Sequence, residues 1–282
     1  MEPGRLIRSV GVFAAFGLAA LLAACAAAPP QTGSDTTAAA GPAAATSSAS
    51  TTVARAPQQA PIDSGPRDVP KVAVTFDSNM TDAMLAELDS GQVKSFSNDA
   101  VYDEIDALGL PTTIFLAGKW IERYPDQTRR LAADPLVELG SHSYAHRAYK
   151  MPCYKLGGLA ASEMAADVER SEELLRRFTD DPTPYFRFPG LCWDADAMAA
   201  IAPTGVVVIG GDVASGDAFG TSVDAIVRQT LSRTRNGSIV VMHITGGNTA
   251  PLTAEALPRV VAGLRAKGFE LVKLSDLLGP GG

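Results

Sequence analysis

Short strand-like runs alternate with longer helix-like segments from Pro70 onward, and this alternation constrains the fold more than any other feature. The runs are rich in Val, Ile, Leu and Phe, whereas the segments between them carry apolar residues at helical spacing. Such alternation is typical of parallel βαβ units, which form either a barrel or a doubly wound sheet. We predict strands at residues 71–76, 112–116, 136–139, 185–190, 206–209, 239–242 and 269–272, and helices at residues 100–108, 125–133, 159–178, 196–201, 224–233 and 253–267. A helical turn is also predicted at residues 84–88.

Polar residues suited to catalysis come at or just after the carboxyl ends of the predicted strands. In a parallel barrel these ends meet at one rim, where active sites are built. We therefore expect one site to combine Asp77, His142, Arg187, the loop that contains Asp212 and Asp217, and His243.

The chain has three histidines, and two of them form the pair His142-Ser143-Tyr144-Ala145-His146. On a helical turn or in a tight loop, this spacing lets both imidazoles face one metal ion. An isolated pair of this kind is more often two exposed polar residues. The polar residues that follow the other strands favour the metal site.

The same residues resemble the sequence motifs of the polysaccharide deacetylase family, also called carbohydrate esterase family 4. The resemblance extends over residues 69–278, and the ordered set is more specific than any single motif. It implies an α/β fold, a distorted (β/α)7 barrel. The five motifs are carried in chain order by Thr75-Phe76-Asp77, His142 with His146, Arg187-Phe188-Pro189, Asp212 to Asp217, and Val241-Met242-His243.

The resemblance implies a metal-dependent hydrolase that removes N-acetyl groups from the amino sugars of a glycan, with peptidoglycan or a chitin-like oligosaccharide as substrate. His142 and His146 would hold a divalent metal; we expect zinc, with cobalt, nickel and manganese as alternatives. Asp77 would be the general base that takes a proton from water. His243 would be the general acid that protonates the leaving amine.

Three further residues have supporting roles by the same resemblance. Arg187 would pair with Asp77 and hold it in place, and Asp217 would hydrogen-bond His243 and favour its charged form. The backbone N–H of Gly190 would donate to the oxyanion, although the family usually has an aromatic residue there. In the fourth motif Ala218 replaces another common aromatic, so Phe219 or Trp193 either forms that wall of the cleft or belongs to the core.

Ser78 is the main departure from the family pattern, which usually has a second aspartate at this position as a metal ligand. Two histidines without a carboxylate make a poor zinc site, because catalytic zinc usually has three protein ligands. Three explanations stay open: Asn79 or Asp77 replaces the ligand, the two histidines bind metal weakly, or catalysis is lost. We favour the first two, because the acid, the base and both supporting residues are present.

Two other functional classes therefore stay open beside the deacetylase. One is a glycan-binding lipoprotein with weakened or lost catalysis, for which Ser78 is the argument. The other is an amidohydrolase acting on a non-sugar amide, since a fold and a catalytic set do not fix the substrate.

The first 66 residues are predicted to export and tether the protein. Residues 1–24 have the basic start and the apolar run of a signal peptide, and Leu22-Ala23-Ala24-Cys25 resembles the lipobox of bacterial lipoproteins. Residues 25–66 begin with the lipidated Cys25 and form a disordered tether of Ala, Thr, Ser and Pro, followed by a catalytic domain at 67–282. These features predict a lipid-anchored protein on the outer face of the bacterial cytoplasmic membrane.

Cysteine content and charge agree with that location. Cys153 and Cys192 are the cysteines besides Cys25, and in an oxidising compartment we expect them to form a disulfide. The net charge of −7 argues against a nucleic-acid partner, which requires a basic face, but not against a neutral glycan.

Overall fold

The computed structural model describes residues 58–279. The predicted signal peptide, Cys25 and most of the predicted tether lie outside these residues. The strands of the described part are β1 (Lys71–Asp77), β2 (Thr112–Leu116), β3 (Val137–Ser141), β4 (Tyr185–Phe186), β5 (Val207–Val208), β6 (Val213–Ala214), β7 (Ile239–His243) and β8 (Glu270–Leu271).

The helices lie between these strands, as the sequence predicts for βαβ units. They are α1 (Asp82–Asp89), α2 (Asp99–Leu108), α3 (Gly118–Arg123), α4 (Pro125–Ala133), α5 (Ala161–Leu175), α6 (Ala195–Ile201), α7 (Val223–Arg233), α8 (Thr253–Ala266) and α9 (Leu274–Leu278), with 3₁₀ turns at Pro189–Leu191 and Ala202–Thr204.

The strands form one curled parallel sheet in the order β5-β4-β3-β2-β1-β7-β6, with β8 paired to the start of β1. Of the two arrangements that the alternation left open, the half-barrel is the one observed. Strand β1 is central, and Asp77 at its end lies in register with Phe115 of β2 and with His243 of β7. Because all pairings are parallel, the ends of these strands share one rim.

Strand β1 is buried on both faces, which explains its continuous apolar sequence. Val72, Val74 and Phe76 pack with helices α2 and α8 in the larger core cluster, whereas Ala73 points to a second cluster on the other face. The period of two along a strand produces this division. It also fixes the side on which Asp77 emerges.

Residues 58–68, which we call the N-terminal strap, lie along the seam between β5 and β6. Ile62 donates its N–H to Val208 and accepts from the N–H of Gly210, both at 2.9 Å, and Gly65 donates to Gly237 at 2.8 Å. The folded domain therefore begins earlier than predicted, because residues 58–66 bond to the barrel instead of belonging to the tether.

Most predicted elements are confirmed, and the exceptions are short. The predicted strand at 185–190 is only the two residues of β4 followed by a 3₁₀ turn, and β6, α3 and α9 were not predicted. A strand of two residues shows no alternation in sequence, so its pairing is determined by its neighbours. Among the helices of residues 58–279, none has the length and apolar character needed to cross a membrane.

Candidate active site

Asp77 and Arg187 form a buried ion pair at the rim. The Arg187 guanidinium donates from Nη1 to Asp77 Oδ1 at 2.7 Å, and its side chain has no exposed surface. Nη1 also donates to Thr75 Oγ1 at 2.9 Å, and Nη2 donates to the carbonyl oxygen of Gly210 at 2.9 Å. Arg187 therefore ties the end of β1 to the loop between β5 and β6.

His243 and Asp217 form a second pair beside the first. Nδ1 of His243 lies 2.8 Å from Asp217 Oδ1, and its backbone N–H donates to Asp217 Oδ2 at 2.8 Å. A carboxylate accepts, so Nδ1 carries the hydrogen and Nε2 is left for proton transfer. Ser215 and Thr253 also donate their hydroxyls to Asp217, at 2.9 and 2.7 Å.

The charges of this second pair favour protonated His243 beside ionised Asp217. Burial alone would lower the pKa of His243, but the charge and hydrogen bond of Asp217 outweigh burial and raise it. Burial would likewise raise the pKa of Asp217, but His243 and the donated hydroxyls lower it. The imidazole side chain is 18% exposed, so it can exchange protons with a ligand in the cleft.

His142 and His146 lie in the loop that follows β3, with ring centroids 5.0 Å apart. The sequence left two conformations open for this pair, a helical turn and a tight loop, and the structure shows the tight loop. Ser143 and His146 have positive φ angles of 67° and 50°, which are uncommon for residues other than glycine. Ser143 Oγ accepts the N–H of His146 at 3.0 Å and so stabilises the turn.

Asp167 of helix α5 holds this histidine loop from outside. Its carboxylate accepts the backbone N–H groups of Tyr144 at 2.9 Å and Ala145 at 3.2 Å, and the Tyr149 hydroxyl at 2.8 Å. Sequence reasoning missed this residue, because on α5 it looks like one more exposed acid. Its role depends on contacts distant in sequence.

The ring nitrogens of the two histidines suit a metal ion. Nδ1 of His142 donates to the carbonyl oxygen of Arg187 at 2.9 Å, which leaves Nε2 as the acceptor, 3.8 Å from Asp77 Oδ2. His146 is buried, and neither of its ring nitrogens has a hydrogen-bond partner within the described residues. Burial lowers the pKa of both imidazoles, and for His146 the nearby His142 and His243 lower it further.

At the position of the third metal ligand, this chain differs from the pattern described above, because Ser78 replaces an aspartate. Ser78 is fully buried, and its hydroxyl accepts the N–H of Ala117 at 3.0 Å. Within residues 58–279, no group of three or more His, Cys, Asp or Glu side chains is arranged to hold a metal. Asn79 carries a buried side-chain oxygen without a hydrogen-bond partner in the same part of the chain. The donor set therefore fits a divalent metal at two histidines, with an amide oxygen as the neighbouring candidate.

Gly190 lies in the 3₁₀ turn after β4 with a φ of +65°. A Cβ atom added there would come within 2.8 Å of Cys153 Sγ and 3.1 Å of the Tyr154 ring. The structure contains the predicted disulfide between Cys153 and Cys192, which joins the loop after β3 to the loop after β4. Glycine is therefore required by both backbone conformation and space.

The structure brings Asp77, Arg187, His142 and His243 together, since each pairs or lies in register with another of them. Asp212 lies apart from them. It accepts from Arg67 of the strap at 2.7 Å and from the Ile239 N–H at 3.0 Å, and so supports the seam. Within the fourth motif, the hydrogen bonds of His243 go to Asp217.

A comparison with protein-family models finds a match to polysaccharide deacetylase over residues 64–209, which is more than half of the chain. The chain belongs to the polysaccharide deacetylase family. The matched residues include Asp77, His142, His146 and Arg187. Asp217 and His243 come after the match, and they are included in the candidate site because His243 is in register with Asp77 and hydrogen-bonds Asp217. The family's enzymes are hydrolases that deacetylate glycans, and they are generally metal-dependent.

A curated relative and two solved structures illustrate the similarity. The peptidoglycan-N-acetylglucosamine deacetylase of Bacillus cereus is 24% identical over 76% of this chain and 70% of its own length. The crystal structure of a peptidoglycan N-acetylglucosamine deacetylase superposes with a TM-score of 0.64, at 22% identity, over 77% of this chain and 91% of that one.

The second structure is a family pseudoenzyme from Bacillus anthracis, also with a TM-score of 0.64, at 19% identity, over 79% of this chain and 70% of that one. At such identities the structures establish the fold, the distorted (β/α)7 barrel that the resemblance implied. The site of this chain must therefore be judged from its own residues.

Proposed function

We propose that this protein removes the acetyl group from N-acetylated amino sugars of a cell-wall glycan, with peptidoglycan preferred and chitin-like oligosaccharides as the alternative. The observation that carries the proposal is the presence of two charge pairs, the buried Asp77–Arg187 and the partly buried Asp217–His243, with Asp77 and His243 at the ends of adjacent strands β1 and β7. They supply a base and an acid on one rim. His142, one of the paired histidines, lies next to the base.

The first step is attack of water on the acetamide carbonyl carbon. Asp77 accepts the proton of that water, because Arg187 holds its carboxylate through Oδ1 and leaves Oδ2 facing the histidine side. The carbonyl oxygen becomes an oxyanion, to which the backbone N–H of Gly190, in the turn after β4, would donate. The role of Gly190 depends on its backbone alone.

The second step is cleavage of the carbon–nitrogen bond. The amine is a poor leaving group as an anion, so a proton must reach the nitrogen as the bond breaks. His243 donates that proton from Nε2, while Asp217 stabilises the protonated ring before the transfer. The products are acetate and the free amino sugar, and the proton held by Asp77 restores the acid through solvent.

His142 and His146 would hold the metal, and we propose zinc. When bound, a divalent metal supplies Lewis acidity to the acetamide oxygen and to the attacking water. Arg187 prepares this position, because its carbonyl oxygen fixes His142 with Nε2 free. The side-chain oxygen of Asn79, which has no hydrogen-bond partner among residues 58–279, is our candidate for the ligand that the family's second aspartate usually provides.

We also propose that the protein acts outside the cytoplasm, anchored by lipid at Cys25. The disulfide between Cys153 and Cys192 supports an oxidising compartment. A tether that joins the barrel through the N-terminal strap is compatible with this arrangement. Replacement of Cys25 by serine should release the protein from membranes in a fractionation of bacteria that express it.

The decisive experiment uses the full chain and measures two quantities. Zinc content is determined after purification, and acetate release from N-acetylated chito-oligosaccharides and peptidoglycan is followed with zinc, cobalt or no metal. Acetate that disappears with a chelator and returns with metal supports the proposal. Absence of acetate release under all these conditions would refute it.

The second candidate is a glycan-binding protein with weakened catalysis, and Ser78 is the observation that favours it. Its hydroxyl is engaged with Ala117, so it does not replace a carboxylate. Ser78→Asp tests this candidate, because a carboxylate can accept the same N–H and add a charged ligand. A gain of zinc affinity together with acetate release, absent before the change, would establish weakened catalysis.

A further inference from the structure

Two aromatic rings stand exposed at the rim beside the candidate active site. Tyr154 is 68% exposed and Phe219 is 71% exposed, and their rings stack with centroids 5.2 Å apart and planes 28° apart. Tyr154 belongs to the loop after β3, and Phe219 to the loop after β6. Among residues 58–279, the large hydrophobic side chains that are exposed are Leu136, Met151, Tyr154 and Phe219, so three of the four lie in these rim loops.

The position of Tyr154 is enforced by the surrounding chain. It follows Cys153 of the disulfide, and its own φ of 47° lies in the left-handed region, which costs free energy for a residue with a side chain. Its ring lies over Gly190, within 3.1 Å of the place where a Cβ would stand. Tyr154 therefore occupies space that a side chain at position 190 would otherwise fill.

Phe219, the partner of Tyr154 in the stack, is positioned by the loop after β6. It follows Asp217, the residue that holds His243, by two positions, and its N–H donates to the carbonyl oxygen of Gly216 at 3.2 Å. Residue 218 between them is alanine, so no aromatic ring comes from that position. Two small residues, Gly190 and Ala218, thus lie next to two exposed rings.

We propose that Tyr154 and Phe219 form a stacking platform for a pyranose ring of the glycan, next to the sugar that loses its acetyl group. The inference rests on the proposed function. A pyranose presents C–H groups on one face, and these pack against the electron-rich face of an aromatic ring. The platform spans from the turn of Gly190 to the loop of Asp217, and so borders both the oxyanion and the acid sides of the site.

A glycan is the occupant that the surroundings favour. The rings join two loops that each carry candidate catalytic residues, so a ligand on them lies beside the reacting bond. Because the two rings are mostly exposed, they contribute little to the hydrophobic core. A cluster of exposed apolar side chains typically marks a binding surface. A pyranose packs best on a flat aromatic ring, whereas a lipid chain packs equally well on any apolar side chain. The exposed residues here are mainly aromatic rings, so a sugar is the ligand that we favour over a lipid or a protein.

The test compares Tyr154→Ala, Phe219→Ala and the double variant in the full chain with wild type. Binding of an N-acetylglucosamine tetramer is measured by calorimetry, and kcat and KM are measured for that tetramer and for a small aryl acetate ester. We expect the double variant to bind the tetramer about tenfold more weakly, with KM raised accordingly. Hydrolysis of the small ester should be unchanged, because it does not reach the platform.

Two further variants separate stacking from mere apolarity and from loss of folding. Phe219→Trp should keep wild-type affinity and Phe219→Leu should lose it, since only the former has a flat ring. Leu136→Ala, an exposed apolar residue before β3, is the matched control and should change nothing. Thermal unfolding of all variants should coincide with that of wild type, because both rings are exposed.

The platform is refuted if the double variant binds the tetramer like wild type while wild type itself binds and turns it over. Failure of wild type to bind or deacetylate any N-acetylated glycan would instead refute the proposed function, and the platform with it.

Discussion

The two halves of the active site contrast in how the rest of the protein satisfies their polar atoms. We define the acid–base half as Asp77, Arg187, Asp217 and His243, and the metal half as Ser78, Asn79, His142 and His146. In the acid–base half the charges are paired at 2.7 and 2.8 Å. In the metal half, both ring nitrogens of His146 and the side-chain oxygen of Asn79 have no hydrogen-bond partner within the described residues.

Within the described residues, hydrogen bonds and ion pairs satisfy most of the polar atoms of the acid–base half, whereas the metal half keeps three buried side-chain atoms without a partner. A buried polar group without a partner costs roughly 1–3 kcal/mol, so the metal half lowers stability until something binds there. Among residues 58–279, the acid–base half has one such atom, Arg187 Nε, and the same guanidinium donates hydrogen bonds to Thr75 and Gly210. Metal removal should therefore alter the metal half and leave the acid–base half in place.

The largest effect should come from the acid–base half. We expect His243→Asn to reduce turnover of the glycan by about 10²- to 10⁴-fold, because the amine then leaves without its proton. Zinc content should stay at the wild-type level, as His243 is engaged with Asp217 and not with the histidine loop. Acetate release and metal analysis of the same preparation check this. Loss of zinc together with turnover would show that the two halves are not separate.

The next effect concerns the metal half alone. Zinc at one hundred times its dissociation constant should raise the free energy of unfolding of wild type by about 2.7 kcal/mol, and His146→Ala should abolish this gain. The reason is that the ring nitrogens of His146 have no hydrogen-bond partner in the part of the chain that the structure describes. Denaturant unfolding with and without zinc measures it. A zinc-dependent gain that survives in the variant would contradict the assignment of His146 as a ligand.

A third prediction tests the electrostatics of the acid. Since Asp217 raises the pKa of His243, Asp217→Asn should lower that pKa, because burial then acts without its opposing charge. The protonated acid is lost as pH rises through this pKa, so the alkaline limb of the activity profile should move to lower pH. Activity at alkaline pH should fall by about tenfold for each unit by which this pKa is lowered. A pH–rate profile with an unmoved alkaline limb would contradict the role of His243 as the acid.

The smallest effect should come from the support of the histidine loop. Asp167→Ala removes an acceptor for two backbone N–H groups and should lower the free energy of unfolding by about 1–3 kcal/mol. Zinc affinity should also fall, because the loop orients His142 and His146. Glu169→Ala, an exposed acid on the same helix, is the matched control. Equal effects of the two variants would mean that Asp167 does not hold the loop.

Sequence analysis predicts those strands and helices that are long enough to show their own pattern of apolar residues. Strands β1, β2 and β7 are long enough to show continuous apolar character, and the residues at their ends, such as Asp77 and His243, follow from the parallel topology. Residues with recognisable chemical partners could therefore be assigned before the fold was known. The resemblance added the order of the motifs.

The remaining features depend on contacts between distant parts of the chain. Asp167 and Thr253 look like ordinary helix residues, and only the folded barrel brings them to the histidine loop and to Asp217. Strand β6 has two residues and no pattern of its own. The exposed stacking of Tyr154 on Phe219 likewise joins residues whose sequence context shows no relation.

The N-terminal strap has a mechanical consequence. Any force that pulls on the chain before Gln58 acts first on the hydrogen bonds between the strap and residues 208–210. Gly210 bonds to Ile62 through its N–H and to Arg187 through its carbonyl oxygen, so tension at the seam reaches the residue that holds Asp77. Tension on the chain before Gln58 would therefore act on Asp77 through a single residue, Gly210, whose two adjacent peptide groups bond to Ile62 and to Arg187.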